Sequence, residues 1–218
     1  LEEYDPGVTI ASLNPLFKRL KQALLPLVEK SSELDQGEEY ISFYNHEELN
    51  QINHVVIEAL HFDLNAGRLD ESEHPFTIGL SPIDVRLTTR NQSNKIIETI
   101  AGTIHECGHG LYEQGLDPKW VGTPFGTSRS MGVHESQSRL WEIFICQSLP
   151  FWEGQLPTLQ SMFPAMKKVS ARDLYEISHG TSKDSQEAVL FYLYIFILFR
   201  YFDIKKPFPV SFFDKKFK

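Results

Sequence analysis

Apolar residues recur at helical spacing along the first part of the chain. One set falls close to a 3.6-residue period: Leu13, Leu20, Leu24, Leu25 and Leu27. Pro26 predicts a kink in that segment, because proline removes a backbone donor from a helix interior. A second helical stripe runs from His46 to Leu64. We therefore predict that the first 70 residues are helical.

The hydrophobic pattern changes between residues 74 and 90. Two short β-prone runs, Phe76–Leu80 and Ile83–Thr89, are separated by a Ser-Pro pair and predict two antiparallel strands. Alternation along the second strand places Asp84, Arg86 and Thr88 on one face. This polar face is either exposed to solvent or part of the wall of a cleft.

Helical periodicity returns after residue 92. A helix is predicted from about Ser93 to Gln114, with Asn91 or Ser93 as its N-cap and Gly115 at its end. Three more helices are predicted at residues 131–149, 156–166 and 171–177. With a length of 218 residues, the pattern indicates a single domain over residues 1–218. The predicted fold is mainly helical, with a small antiparallel β-sheet.

Charge and composition exclude several classes of protein. Lys and Arg total 21 against 29 Asp and Glu, so the chain has no general electrostatic basis for binding nucleic acid or an anionic membrane. The apolar run Ala188–Phe199 is too short to span a bilayer. Only two cysteines and an acidic N-terminus without a signal-peptide pattern favour a cytoplasmic protein. Because the chain begins at Leu1, we expect it to be part of a longer protein.

The predicted helix at 93–114 contains the pattern H-E-x-x-H. His105 and His109 are four residues apart, so their imidazoles project from the same face of a helix and can bind one Zn²⁺. Glu106 would lie beside the metal without binding it, where it can accept a proton from a water molecule. Cys107 points away from this face on helical geometry and is predicted to be part of the core.

A catalytic zinc site needs a third protein ligand and an open position. Glu135 is the strongest candidate, because it lies at the start of the next predicted helix, which can pack beside the first. Asp117 is an alternative carboxylate, but it lies in a loop rich in glycine and proline. His134 is predicted either to support the metal site, to contact substrate or to pack neutrally.

Four motifs, in this order, resemble those of the carboxypeptidase Taq family of metallopeptidases: His74-Pro75-Phe76, Asp84–Thr88, His105–Gly115 and Gly132–Glu142. The resemblance extends from residue 1 to about 177. It implies a zincin-like, mainly helical fold with a long groove, a small sheet beside the active-site helix, and homodimers. Peptides with a free C-terminus would be the substrates.

The resemblance also implies residue roles. Zinc would be held by His105, His109 and Glu135, with Glu106 as general base, and cobalt would also support activity. Within the motifs, the candidates for contact with substrate are His74, Asp84, Arg86, His134 and Gln137. For Arg86, an ion pair with Asp84 or another carboxylate is the alternative interpretation.

Two features depart from the family pattern. Against the family pattern, the chain would lack the N-terminal helical region and the last stretch, and an arginine of the family is absent near residues 182–188. Residues from about 178 to 218 form a diverged tail rich in phenylalanine. The missing arginine and the abnormal tail favour the alternative of a catalytically incompetent fragment or degenerate relative that binds metal or a partner, whereas the intact H-E-x-x-H pattern and Glu135 favour the peptidase. A metallopeptidase of other specificity is a third interpretation.

Overall fold

A computed structural model describes residues 7–32, 44–93 and 95–179. The elements are α1 (Ile10–Ser32), α2 (His46–Ala59), β1 (Gly67–Glu71), β2 (Thr77–Ser81), β3 (Asp84–Thr89), α3 (Ile96–Gln114), α4 (Met131–Arg139), a π-helix (Leu140–Cys146), α5 (Leu149–Met162) and α6 (Ala171–Ser178). Short 3₁₀ turns connect some of them. The mainly helical fold with a small sheet is confirmed. The predictions for the Ala188–Phe199 run and the rest of the phenylalanine-rich tail lie outside the described residues.

The core forms between α2, α3 and the sheet. Helix α2 begins at a capping box in which the side chains of Asn45 and Glu48 each bind the other's backbone N–H. Helix α3 buries its apolar face at four-residue spacing through Ile96, Ile100 and Ile104. The burial of each such side chain contributes about 1.5–3 kcal/mol to the free energy of folding, because its apolar surface leaves water. The packed face fixes the rotation of α3, so the opposite face presents its polar residues in a defined direction.

The sheet has the strand order β1-β3-β2. Strands β2 and β3 pair antiparallel as predicted. Strand β1 pairs parallel with β3, with Gly67 opposite Val85, so the sheet is mixed and the prediction of helix throughout the first 70 residues was wrong. The sequence of β1, Gly-Arg-Leu-Asp-Glu, holds no β-branched or aromatic residue, which leaves no strand signal. Thr88, predicted on the polar face, is buried and accepts a hydrogen bond from Phe76 N.

The start of α3 differs from the prediction. The helix begins at Ile96, and its N-cap residue Lys95 makes no capping hydrogen bond through its side chain. Asn91 does not cap α3, because its side chain bonds to those of Asn50 and Asn53 on α2. Gly115 ends α3 as predicted, with a right-handed backbone.

The helix predicted over 131–149 is divided in the structure. It begins at Met131, passes into the π-helix and stops before Ser148. Ser148 then caps α5, since its hydroxyl accepts a hydrogen bond from Phe151 N at 3.3 Å. Pro150 therefore lies in the first turn of a new helix, where proline is tolerated, and does not mark the end of the preceding one. Among the described residues, no helix is long and apolar enough to cross a membrane.

Candidate active site

Helix α3 brings two imidazoles together on its polar face. The ring centroids of His105 and His109 lie 5.0 Å apart, with an angle of 81° between the planes. Both side chains are largely buried, with exposed fractions of 18% and 14%. The i,i+4 spacing of the two residues on one helix produces this arrangement.

Helix α4 supplies a carboxylate because it packs very closely on α3. A Cβ at Gly108 would lie only 2.6 Å from Cα of Ser138 on α4, so no larger residue fits this contact. The close approach places Glu135 Oε2 3.2 Å from His109 Nε2 and 3.7 Å from His105 Nε2. These three ligand atoms all lie within 4.8 Å of one another.

The donor set fits a zinc ion. Zinc bonds of about 2.0–2.1 Å in a tetrahedron separate neighbouring ligand atoms by about 3.3 Å, and the distances of 3.7 Å and 3.2 Å from Glu135 Oε2 to the two histidines lie on either side of that value. Two imidazoles and one carboxylate form a set found in catalytic zinc sites that keep a fourth position open. Asp117, the alternative ligand, instead caps a surface turn and pairs with Lys119.

Arg139 connects the carboxylates around His105. Its Nε donates to Glu135 Oε1 at 2.9 Å, and its Nη1 donates to Glu142 Oε2 at 2.8 Å. The same oxygen of Glu142 lies 2.7 Å from His105 Nδ1. Glu135 is thereby held through one oxygen while the other faces the histidines. Glu142 in turn orients His105 with Nε2 toward Glu135.

The pKa values of these groups follow from burial opposed by close charges. Burial disfavours the charged form of His105, but the hydrogen bond and charge of Glu142 outweigh it, so the pKa of His105 lies above its ordinary value. Burial likewise opposes ionisation of Glu135, yet the hydrogen bond to His109 and the charges of His105 and Arg139 lower the pKa of this carboxyl. The carboxylate of Glu135 is therefore kept ionised, the state that a metal ligand requires.

Glu106 is buried, with an exposed fraction of 8%. The hydroxyl of Thr77, the first residue of β2, lies 2.7 Å from Glu106 Oε2 and 3.0 Å from the backbone oxygen of Glu106. The sheet therefore contacts the active-site helix at the predicted general base. Thr77 was missed from the sequence, since nothing in a local pattern connects it with a residue 29 positions away.

His134 contacts His109 at Nδ1, the ring nitrogen that does not face Glu135. The Nδ1 atoms of the two rings are within hydrogen-bonding distance, and the ring centroids are 4.6 Å apart. The Nε2 atom of His134 lies 2.7 Å from Glu113 Oε1. The hydrogen bond to His134, together with one to Ser128, lowers the pKa of Glu113.

The chain is similar to proteins of a known family. The family model described as "Carboxypeptidase Taq (M32) metallopeptidase" matches residues 1–185, which is most of the chain. The chain belongs to this family. Its members are metallopeptidases, which use a metal ion. The cluster of His105, His109 and Glu135 could hold such an ion in this chain.

Relatives of the M32 chain are similar over a limited part of their length. This chain is 41% identical to thermostable carboxypeptidase 1 of Thermus thermophilus over 180 residues, and the match covers 80% of this chain and 35% of the relative. It is 36% identical to carboxypeptidase 1 of Bacillus subtilis, covering 85% and 38%. The crystal structure of the M32 carboxypeptidase of Deinococcus radiodurans R1 superposes with a TM-score of 0.73 at 34% identity, covering 81% and 36%. The chain thus spans little more than a third of the length of these relatives.

The remaining substrate-contact candidates of the M32 chain lie in the sheet region and on α4. Arg86 donates to Asp84 through Nε at 3.0 Å and Nη2 at 3.1 Å, so the ion pair considered from the sequence is present. This pairing raises the pKa of Arg86 and lowers that of Asp84. His74 is exposed, and its backbone oxygen accepts a hydrogen bond from Ser72. Gln137 is half-buried on α4, beside Ser136.

Proposed function

We propose that this chain is the catalytic part of a zinc-dependent metallocarboxypeptidase, which removes C-terminal residues from peptides. The observation that carries the proposal is the convergence of the His105, His109 and Glu135 ligand atoms beside the buried Glu106. Membership of a metallopeptidase family, and relatives named carboxypeptidases, support the same conclusion. A cytoplasmic location and a homodimer are part of the proposal.

Zinc would be held by His105, His109 and Glu135, and cobalt could replace it. When bound, the metal supplies Lewis-acid polarisation of the scissile carbonyl and acidifies a water molecule. Glu106 accepts the proton of the attacking water and transfers it to the leaving amine. Thr77 holds Glu106 Oε2 by a hydrogen bond, which fixes the direction of the carboxylate. For the substrate contacts we propose His74, Asp84, Arg86 and Gln137, with His134 at the edge of the metal site.

A second candidate function follows from the length of the chain. Because it covers only 35% and 38% of two carboxypeptidase relatives, groups that recognise substrate in the whole protein could be absent. In that case the chain binds metal or a partner without turnover. The missing arginine near residues 182–188 and the diverged tail, which suggest this alternative, lie outside the described residues.

Peptide trimming distinguishes the two functions. The purified chain is incubated with zinc or cobalt and a mixed peptide, in free-acid and amidated forms, and the products are measured by mass spectrometry. A carboxypeptidase produces a ladder from the free-acid peptide only, and Glu106→Gln abolishes it. Metal binding without any ladder would support the non-catalytic alternative. Trimming from the amino end would contradict the proposed specificity.

A further inference from the structure

The groups that contact His105 and His109 differ. His105 Nδ1 faces the carboxylate of Glu142 directly at 2.7 Å. His109 Nδ1 faces another imidazole, that of His134, and only the far nitrogen of His134 reaches a carboxylate, Glu113 Oε1 at 2.7 Å. The Nδ1 atom of His105 therefore has a carboxylate as its immediate partner, whereas the Nδ1 atom of His109 reaches a carboxylate only through a second ring.

His109, His134 and Glu113 form a series of hydrogen bonds. When His109 binds a metal through Nε2, the donors and acceptors in this series can be assigned in only one direction. Its Nδ1 must then carry the proton and donate it to His134 Nδ1. Since His134 Nδ1 accepts, the remaining proton of a neutral His134 lies on Nε2, where it donates to the Glu113 carboxylate. Glu113 thus stabilises one tautomer of His134, and His134 in turn stabilises one tautomer of His109.

The surroundings hold His134 and Glu113 in position. The rings of Tyr112 and His134 form a T-shaped pair, with centroids 5.3 Å apart and an angle of 68° between the planes. Gly79 of β2 lies against Glu113, since a Cβ there would be 2.5 Å from Glu113 Oε2. Both side chains are largely buried, with exposed fractions of 22% and 14%. The pair is thus fixed by packing, as required of groups that orient a ligand.

We propose that Glu113, acting through His134, is a positioning residue that fixes the tautomer and orientation of His109 for metal binding. This inference rests on the proposed function, because it assumes that His109 is a ligand. Glu113 is not among the residues whose ligand atoms converge at the candidate metal site. Its removal should weaken zinc binding only while His134 is present to transmit the effect.

A double-mutant cycle tests this coupling in the full 218-residue chain. The zinc dissociation constant is measured by competition with a chromophoric chelator for the wild type, Glu113→Ala, His134→Phe and the double variant. Groups that orient a metal ligand typically contribute 10–100-fold to metal affinity, so we expect each single variant to bind zinc at least about tenfold more weakly. In the His134→Phe background, Glu113→Ala should add no more than about twofold.

Two further variants exclude a merely structural role. Glu113→Gln retains an amide oxygen that can accept the His134 proton, so its affinity should return to within about threefold of the wild type. Glu98→Ala removes an exposed carboxylate from the first turn of the same helix and should leave affinity unchanged. The absorption spectrum of bound cobalt should change in Glu113→Ala and be restored in Glu113→Gln. Circular dichroism monitors folding in every variant.

The outcomes separate the two proposals. Wild-type affinity in Glu113→Ala, or an equal loss in both backgrounds, would overturn the positioning role. If Glu113→Ala fails to fold, the comparison of Glu113→Gln with His134→Phe decides: equal losses of affinity contradict the role. A wild-type chain that binds no zinc at all would instead contradict the proposed function.

Discussion

At the scale of single residues, Glu106 and Glu135 should respond differently to substitution. Glu106→Gln keeps the three ligands and removes the proton acceptor, so bound zinc should stay at the wild-type ratio while turnover falls about 10²–10⁴-fold. Glu135→Ala removes a proposed ligand, so zinc content itself should fall. Metal analysis of both purified variants, beside a peptide assay, measures the difference. Unchanged zinc in Glu135→Ala would assign the third ligand to another residue.

The two cysteines should be unreactive in the folded chain. Cys107 and Cys146 are both free and fully buried, and burial raises the pKa of each thiol well above its ordinary value. Because only the thiolate reacts, we expect alkylating reagents to label neither cysteine until the chain unfolds. Mass spectrometry after labelling in buffer and in denaturant counts the modified thiols. Rapid labelling in buffer would contradict the burial of these residues.

The sequence predicted the candidate metal ligands better than the residues that contact them. His105 and His109 follow from local spacing alone, because four residues make one turn of a helix. Glu135 could be inferred only as the carboxylate of the next helix. Glu113 and Glu142 contact histidines of another helix, which leaves no local signal. Arg139 was missed although it pairs with Glu135 and Glu142 at the local spacings i,i+4 and i,i+3.

At the scale of elements, the contact between α3 and α4 positions Glu135, the proposed third ligand. Gly108→Ala would put a Cβ against Ser138, so α4 must move and carry Glu135 with it. We expect this variant to lose about 1–3 kcal/mol of stability and to bind zinc more weakly. Thermal unfolding and zinc titration provide the two measurements.

Gly102→Ala is the matched control for Gly108→Ala. Gly102 lies on the same helix, and an added Cβ there would meet no atom within 4 Å. Because alanine favours helix more than glycine does, this variant should be up to about 1 kcal/mol more stable than the wild type, with unchanged zinc binding. Equal effects of the two substitutions would show that the helix contact does not position Glu135.

Elements were predictable where their periodicity was strong. The stripe of isoleucines specified α3, and alternation specified β2 and β3. Strand β1 was missed because its partner is not its sequence neighbour and its residues are mostly polar. The boundary at Ser148 was missed because proline is compatible with both the first turn of a helix and the end of one.

At the scale of the whole molecule, metal binding should stabilise the fold. The proposed ligands come from α3 and α4, so a zinc ion bound to both would bind the folded chain much more tightly than the unfolded one. At a free zinc concentration about 1,000-fold above the dissociation constant, this linkage contributes about 4 kcal/mol. Calorimetry with zinc, and after removal of metal by a chelator, should show a higher unfolding temperature for the zinc-loaded chain. The Glu135→Ala variant should show a smaller difference.

Arg139 also limits how this chain can change by insertion or deletion. One continuous helical segment carries Glu135, Arg139 and Glu142. Arg139 binds both carboxylates, and Glu142 also contacts His105. A gain or loss of one codon between residues 135 and 142 would rotate everything after it by roughly 100° about the helix axis. One such event would separate Glu142 from His105 while leaving the H-E-x-x-H signature intact. A gene with a perfect signature can therefore encode a damaged metal site.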